Sequence, residues 1–140
     1  MKLFIDTNVI LDLLAARKPF VKSAEKIFTL AANGRLKLFT SSISIATTYY
    51  ILGKQLSPED TRASLQKLLT LITVSDAGHM GTVRAVNDLN FKDIEDALQN
   101  QCALTCKAKI IVTRNEKDFR DCSLSVMTPD QFLSRTSLNF

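Results

Sequence analysis

The sequence predicts an α/β domain in three layers, with helices on both faces of a parallel sheet of four or five strands. Short β-branched and apolar runs recur along the chain, and the stretches between them space their apolar residues as amphipathic helices do. No repeat, low-complexity tract or Pro/Gly/Ser-rich linker divides residues 1–140, so a single domain is expected. With 46% apolar and 23% charged residues, the chain can bury a core and keep a solvated surface.

The elements follow in order. Lys2–Ile5 reads as a short apolar strand, and Asn8–Ala16 as a helix with Val9, Leu13 and Ala16 on one face. Pro19 and Phe20 mark a turn. Ser23–Ala32 is then amphipathic through Ala24, Ile27, Phe28 and Ala31, and Asn33-Gly34 ends it in the left-handed conformation these residues tolerate. Leu36–Phe39 is a second strand, and the very apolar Ser41–Leu52 a buried helix capped by Ser41 or Ser42. Ser57-Pro58-Glu59-Asp60 combines a cap, a proline at the first helical position and acids near the positive helix end. That helix is expected to reach Leu71, with a strand at Ile72–Val74. Helices over Thr82–Leu89 and from Ile94 or Glu95 to Lys107 precede Ala108–Val112, the clearest interior strand. An edge strand around Val126 and a helix Asp130–Ser134, opened by Thr128-Pro129-Asp130, complete the pattern.

Composition excludes several classes. No apolar stretch approaches the ~18 residues of a membrane span. The acid at position 6 interrupts any leader-like start, so the cytosol is the expected location. Cys102, Cys106, Cys122 and the lone His79 lack the spacing of a zinc site, and the cysteines read as buried or half-buried free thiols. The net charge of +4 permits a polyanionic partner, although no polybasic run demands one.

In an open parallel sheet, sites form beyond the carboxyl ends of the strands, where strand order reverses. Asp6 follows the first strand directly, and Thr113-Arg114-Asn115-Glu116-Lys117-Asp118 follows Ile110–Val112. Asp93, Glu95 and Asp96 head the helix containing Ala97–Leu104. Each group alone has an ordinary reading: Asp6 as a helix cap, Asp93, Glu95 and Asp96 as first-turn acids, Asp118 as a turn residue. Together they bring acids from distant sequence to one rim, where like charges repel unless a cation lies between them. Hard oxygen ligands without His or Cys suit Mg²⁺ or Mn²⁺.

MKLFIDTNVILDLL, FKDIEDALQ and IVTRNEKDF, in that order and spacing, resemble the PIN domain family, the fold of VapC-type toxins of bacterial toxin–antitoxin pairs. The resemblance extends from Leu3 to Phe132. It implies a metal-dependent ribonuclease that leaves a 5′-phosphate and a 3′-hydroxyl. On it, Asp6, Asp96 and Asp118 are the metal ligands, Asp93 a further catalytic acid, and Thr113 and Asn115 hydrogen-bond donors that hold Asp118 or a water. Asn8 would orient Asp6 or touch substrate, and Glu95, out of phase with Asp96, is held in reserve. One departure stands out. Thr47 occupies the position of the family's usual third-helix glutamate, which implies weaker metal binding.

Arg114, Lys117 and Arg120, with Arg17 and Lys18, either grip flanking phosphates of an RNA substrate or are solvated charges balancing the acids. Tyr49 and Tyr50 lie in an apolar helix, which favours core packing or a protein interface over base stacking. The apolar Ile43–Leu52 and Leu68–Ile72 stretches suit a homodimer or a groove for an antitoxin helix, and the resemblance implies both partners. The competing reading is a PIN-like binding module that no longer cleaves. A phosphatase-like or receiver-type α/β domain is the third, weakened by the lack of a suitably placed lysine after a late strand.

Overall fold

The computed structural model describes residues 1–135 of the chain. It contains β1 (Lys2–Ile5), α1 (Thr7–Leu14), α2 (Val21–Ala32), β2 (Lys37–Thr40), α3 (Ser42–Leu52), α4 (Pro58–Leu68) and β3 (Ile72–Val74). There follow α5 (Gly78–Asn87), α6 (Ile94–Thr105), β4 (Ile110–Val112), a 3₁₀ turn (Glu116–Phe119), β5 (Ser125–Met127) and α7 (Pro129–Arg135). All strand pairs are parallel, in the order β3-β2-β1-β4-β5. The expected α/β architecture is thus present, with five strands.

Alternation along the strands builds two cores, because successive side chains of a strand leave opposite faces. Leu3, Ile5, Ile110 and Val112 join Val9, Ile10, Ile27, Leu30, Leu65 and Phe132 on one face. Phe4 and Ile111 point the other way, onto Cys102 and Ala103 of α6 and onto Phe119. The cysteines are free thiols, Cys102 buried and Cys106 and Cys122 half-buried. No helix of the described residues is long and apolar enough to cross a membrane.

Several boundaries differ from the sequence reading for local reasons. Asp6 caps α1 by accepting the Thr7 N–H, and the helix starts at Thr7, one residue before the expected Asn8. Ser41 caps α3 through the Ser44 N–H. The helix α4 stops at Leu68, and α5 begins at Gly78, earlier than its apolar spacing suggested. Gly34, at φ +75°, takes the left-handed position after α2, where the Gly34 and Arg35 N–H groups bond the Ala31 and Leu30 carbonyls.

The consequence for function lies at one edge. From β1 the sheet grows outward through β2 and β3 on one side and β4 and β5 on the other, so strand order reverses between β1 and β4. Open parallel sheets place their sites beyond the carboxyl ends of the strands at such a reversal. Asp6 and Thr113 are the first residues beyond β1 and β4.

Candidate active site

Asp6 is held from every side. Its backbone N–H still belongs to the sheet, donating to the Val112 carbonyl at 3.0 Å. The side chain is 7% exposed, and its two oxygens together accept four hydrogen bonds. Oδ1 receives the Thr7 N–H at 2.8 Å and Gln99 Nε2 at 3.2 Å. Oδ2 receives the Thr113 hydroxyl at 2.7 Å and, more weakly, Asn8 Nδ2 at 3.3 Å. Thr113 Oγ1 in turn accepts from Asn8 Nδ2 and from the Asn115 N–H, at 3.2 and 3.0 Å. The segment after β4 is thereby tied to the residue after β1.

The remaining acids form a looser rim. Asp93 caps α6 by accepting the Glu95 N–H at 2.9 Å, the ordinary role open to it from sequence. Asp96, one turn in, is half-buried and its pKa is pushed up to about 7. Burial is the larger cause, and the negative charges of Asp6, Asp118, Asp93 and Glu95 add to it. Glu95 is raised as well, by burial and then by Asp93 and Asp6. It therefore feels the cluster that helix phase had assigned it away from. Asp118 is exposed in the 3₁₀ turn, its N–H bonded to the Asn115 carbonyl at 3.0 Å. A cleft of about 430 Å³ opens beside these acids, lined by Asp93, Asp96 and Asp118 together with Lys92, Lys117 and Arg120.

The PIN domain family model matches residues 2–117. The chain belongs to the PIN domain family. It is 32% identical to Ribonuclease VapC1 of Aquifex aeolicus (strain VF5), over 96% of this chain and 94% of that one. Among solved structures, VapBC-1 of nontypeable Haemophilus influenzae superposes with a TM-score of 0.69 at 19% identity, covering 93% of this chain and 99% of the other. A toxin–antitoxin complex from Klebsiella pneumoniae gives a TM-score of 0.63 at 20% identity, covering 91% and 97%. At those identities the structures speak for the PIN fold, which the five parallel strands share.

The PIN site here departs in detail from expectation. The Thr113 hydroxyl serves Asp6 rather than Asp118. Asn115 works through its backbone, donating to Thr113 and accepting from Asp118, while its side chain is exposed. Arg114 is not a free cation. Its Nε and Nη2 fork onto both oxygens of the fully buried Asp12, at 2.6 and 3.1 Å, and its guanidinium lies 3.9 Å from the Phe20 ring centre. Arg17 stands 3.9 Å from the same carboxylate. On α3, the buried polar positions are Ser44 and Thr48, with Thr47 half-buried beside them. Ser44 is the α3 residue bonded into the cluster, 2.7 Å from both the Thr7 hydroxyl and Gln99 Nε2. Tyr50 is 74% exposed and so is no core residue, whereas Tyr49 packs partly against the larger core.

Sequence reasoning missed Gln99 and the Asp12–Arg114 pair. The first had a weak signal: it lies three residues after Asp96, on the face of the same helix that looks toward the site. The second had none, because 102 residues separate the partners.

The donor set fits a hard divalent cation. It is all oxygen, and the acids around Asp96 add to burial in raising its pKa, a repulsion that a cation would relieve. Among the described residues no three His, Cys, Asp or Glu side chains form a group that could hold a metal ion by themselves, so an ion here would rest on one or two carboxylates and water. Such a set suits Mg²⁺ or Mn²⁺, which keep several waters.

Proposed function

We propose that the protein is a Mg²⁺- or Mn²⁺-dependent ribonuclease of the cytosol and the toxin of a toxin–antitoxin pair. The observation that carries this reading is the convergence of Asp6, Asp93, Glu95, Asp96 and Asp118 at the strand-order reversal of a PIN fold, with Asp96 pushed up to about 7 by burial and then by the acids around it. The relative called a ribonuclease and the toxin–antitoxin complex of the same fold support it.

In this reading Asp6, Asp96 and Asp118 hold the cation, directly or through water. When bound, the ion lowers the pKa of a coordinated water and neutralises charge gathering on the scissile phosphate. Thr113 and Asn8 orient Asp6, and the Asn115 backbone joins that pair to the Asp118 turn. Asp93 uses Oδ1 as a helix cap and offers its second oxygen to the proton of the attacking water. Lys92, Lys117 and Arg120, exposed along the cleft and without an ion pair among the described residues, grip the flanking phosphates. The exposed Tyr50 and Leu69 of the α3–α4 side supply apolar surface for an antitoxin or for a second copy of the chain.

The test is cleavage of a mixed RNA panel with Mn²⁺ or Mg²⁺, against EDTA and an Asp96→Asn variant prepared identically. Cutting should require the metal and fall at least about a hundredfold in the variant. Equal cutting by both proteins would assign the activity to a contaminant. A second reading, a binding module that no longer cleaves, is favoured by the uncharged Thr47 and by the four donors that already satisfy Asp6. It predicts Mn²⁺ binding with no cleavage.

A further inference from the structure

We infer that Gln99 is a positioning residue for Asp6, fixing which carboxylate oxygen is presented to the cation; this rests on the ribonuclease reading. Gln99 is fully buried on α6, and both ends of its amide are engaged. Oε1 accepts from the Ser41 hydroxyl. Nε2 donates to Ser44 Oγ at 2.7 Å and to Asp6 Oδ1 at 3.2 Å. The amide can face Asp6 only through its nitrogen, because a carbonyl oxygen there would meet a carboxylate with no proton between them. The Ser41 hydroxyl, placed by its role as cap of α3, donates to the opposite end of the amide.

The two oxygens of Asp6 are therefore unequal. Oδ1 is fixed by two N–H donors on the rigid start of α1 and on α6. Oδ2 is held by a hydroxyl, which can rotate away, and by a long amide contact at 3.3 Å. A cation can approach Oδ2 by displacing only the long Asn8 contact, with the short Thr113 bond kept. To reach Oδ1 it would have to displace either the Thr7 backbone N–H or the fully buried Gln99 amide. Without Gln99 the carboxylate loses a donor on its anchored side and can turn about its side-chain bonds. The amide thus couples the buried hydroxyls of α3 and the acids of α6 to the first residue after β1.

The experiment compares wild type, Gln99→Met and Ser44→Ala by Mn²⁺ titration, melting temperature and cleavage kinetics on one RNA. Methionine keeps the length and buried volume but has no donor. Alanine at 44 removes one anchor of the amide and suits a helix interior. Folded Gln99→Met should bind Mn²⁺ about tenfold more weakly and lose about tenfold in kcat, with KM within about twofold. Ser44→Ala should move the same quantities in the same direction, by roughly threefold, and carries the test if Gln99→Met does not fold. Variants that fold, bind Mn²⁺ and cleave like wild type would overturn the role of Gln99 and leave the ribonuclease standing. A wild type that neither binds Mn²⁺ nor cleaves any RNA would overturn the ribonuclease and this role with it.

Discussion

Asp6 and Asp12 are both buried carboxylates at or on the first helix, and the fold treats them in opposite ways. Asp12 receives a guanidinium fork from Arg114, with Arg17 nearby, so its charge is matched within the protein. Asp6 receives only neutral donors, from Thr7, Asn8, Gln99 and Thr113, and it faces further acids. Hydrogen bonds from neutral groups satisfy lone pairs without cancelling charge. Asp12 is therefore a structural latch, closing the segment after β4 onto α1. Asp6 is an anchored anion left unmatched by any cationic side chain among the described residues, the place that the ribonuclease reading gives to a metal ligand.

The largest expected effect sharpens that contrast. Asp12→Ala strips Arg114 of its buried partner and should cost about 3 kcal/mol, the lower end for a broken buried pair, because Arg114 keeps some contact with solvent. In a chain of this size that lowers the melting point by roughly 10 °C. Asp6→Asn preserves shape and should cost only about 1 kcal/mol while removing Mn²⁺ binding. Urea denaturation of both variants, paired with Mn²⁺ titration, checks this. Equal losses of stability would erase the distinction between latch and ligand.

That distinction also marks how far the sequence could be read. The five strands and the acids at their ends were legible because strand periodicity and strand-end placement are local properties. Asp6, Asp93, Asp96, Thr113 and Asp118 could all be nominated from short motifs. Which acid would be matched internally could not, since Arg114 stands 102 residues from Asp12 and looks from sequence like one more cation beside the site. For the same reason the motif alone assigns the Thr113 hydroxyl to Asp118 or a water, whereas in the fold it donates to Asp6, its neighbour across the sheet. Gln99 was passed over because a glutamine inside a helix has a bland reading until its partners are known.

The cations divide along the same line. With Arg114 committed to the latch, Lys92, Lys117 and Arg120 remain to meet phosphate along the cleft. Replacing Lys117 and Arg120 together with alanine should weaken binding of single-stranded RNA several-fold at physiological salt. The plot of log affinity against log salt should flatten by about 0.7 for each lost contact. Fluorescence anisotropy across a salt series measures both. Mn²⁺ binding should stay as in wild type, since neither residue is a proposed ligand. An unchanged salt slope would put the strand elsewhere on the surface.

The smallest effect concerns the acids left unmatched. Asp96 titrates at about 7 in the folded protein, against 3.8 for an ordinary aspartate. Near pH 4 the folded form already holds its proton. As pH rises toward 7 the unfolded chain gives that proton up more readily, so it binds fewer protons and folding stability falls across this window. Above about 7 both forms are ionised and the penalty is complete. Asp96→Asn removes it. In EDTA the variant should melt with wild type near pH 4 and pull ahead by roughly 3 °C at pH 8, a modest gap because the half-exposed carboxyl is screened by solvent. Saturating Mn²⁺ should reverse the order at pH 8, because binding to the folded form stabilises only the protein that retains the ligand. A constant gap at all pH values, with or without Mn²⁺, would mean that Asp96 stands outside the charge cluster, and that the unmatched acids of this fold do not await a cation.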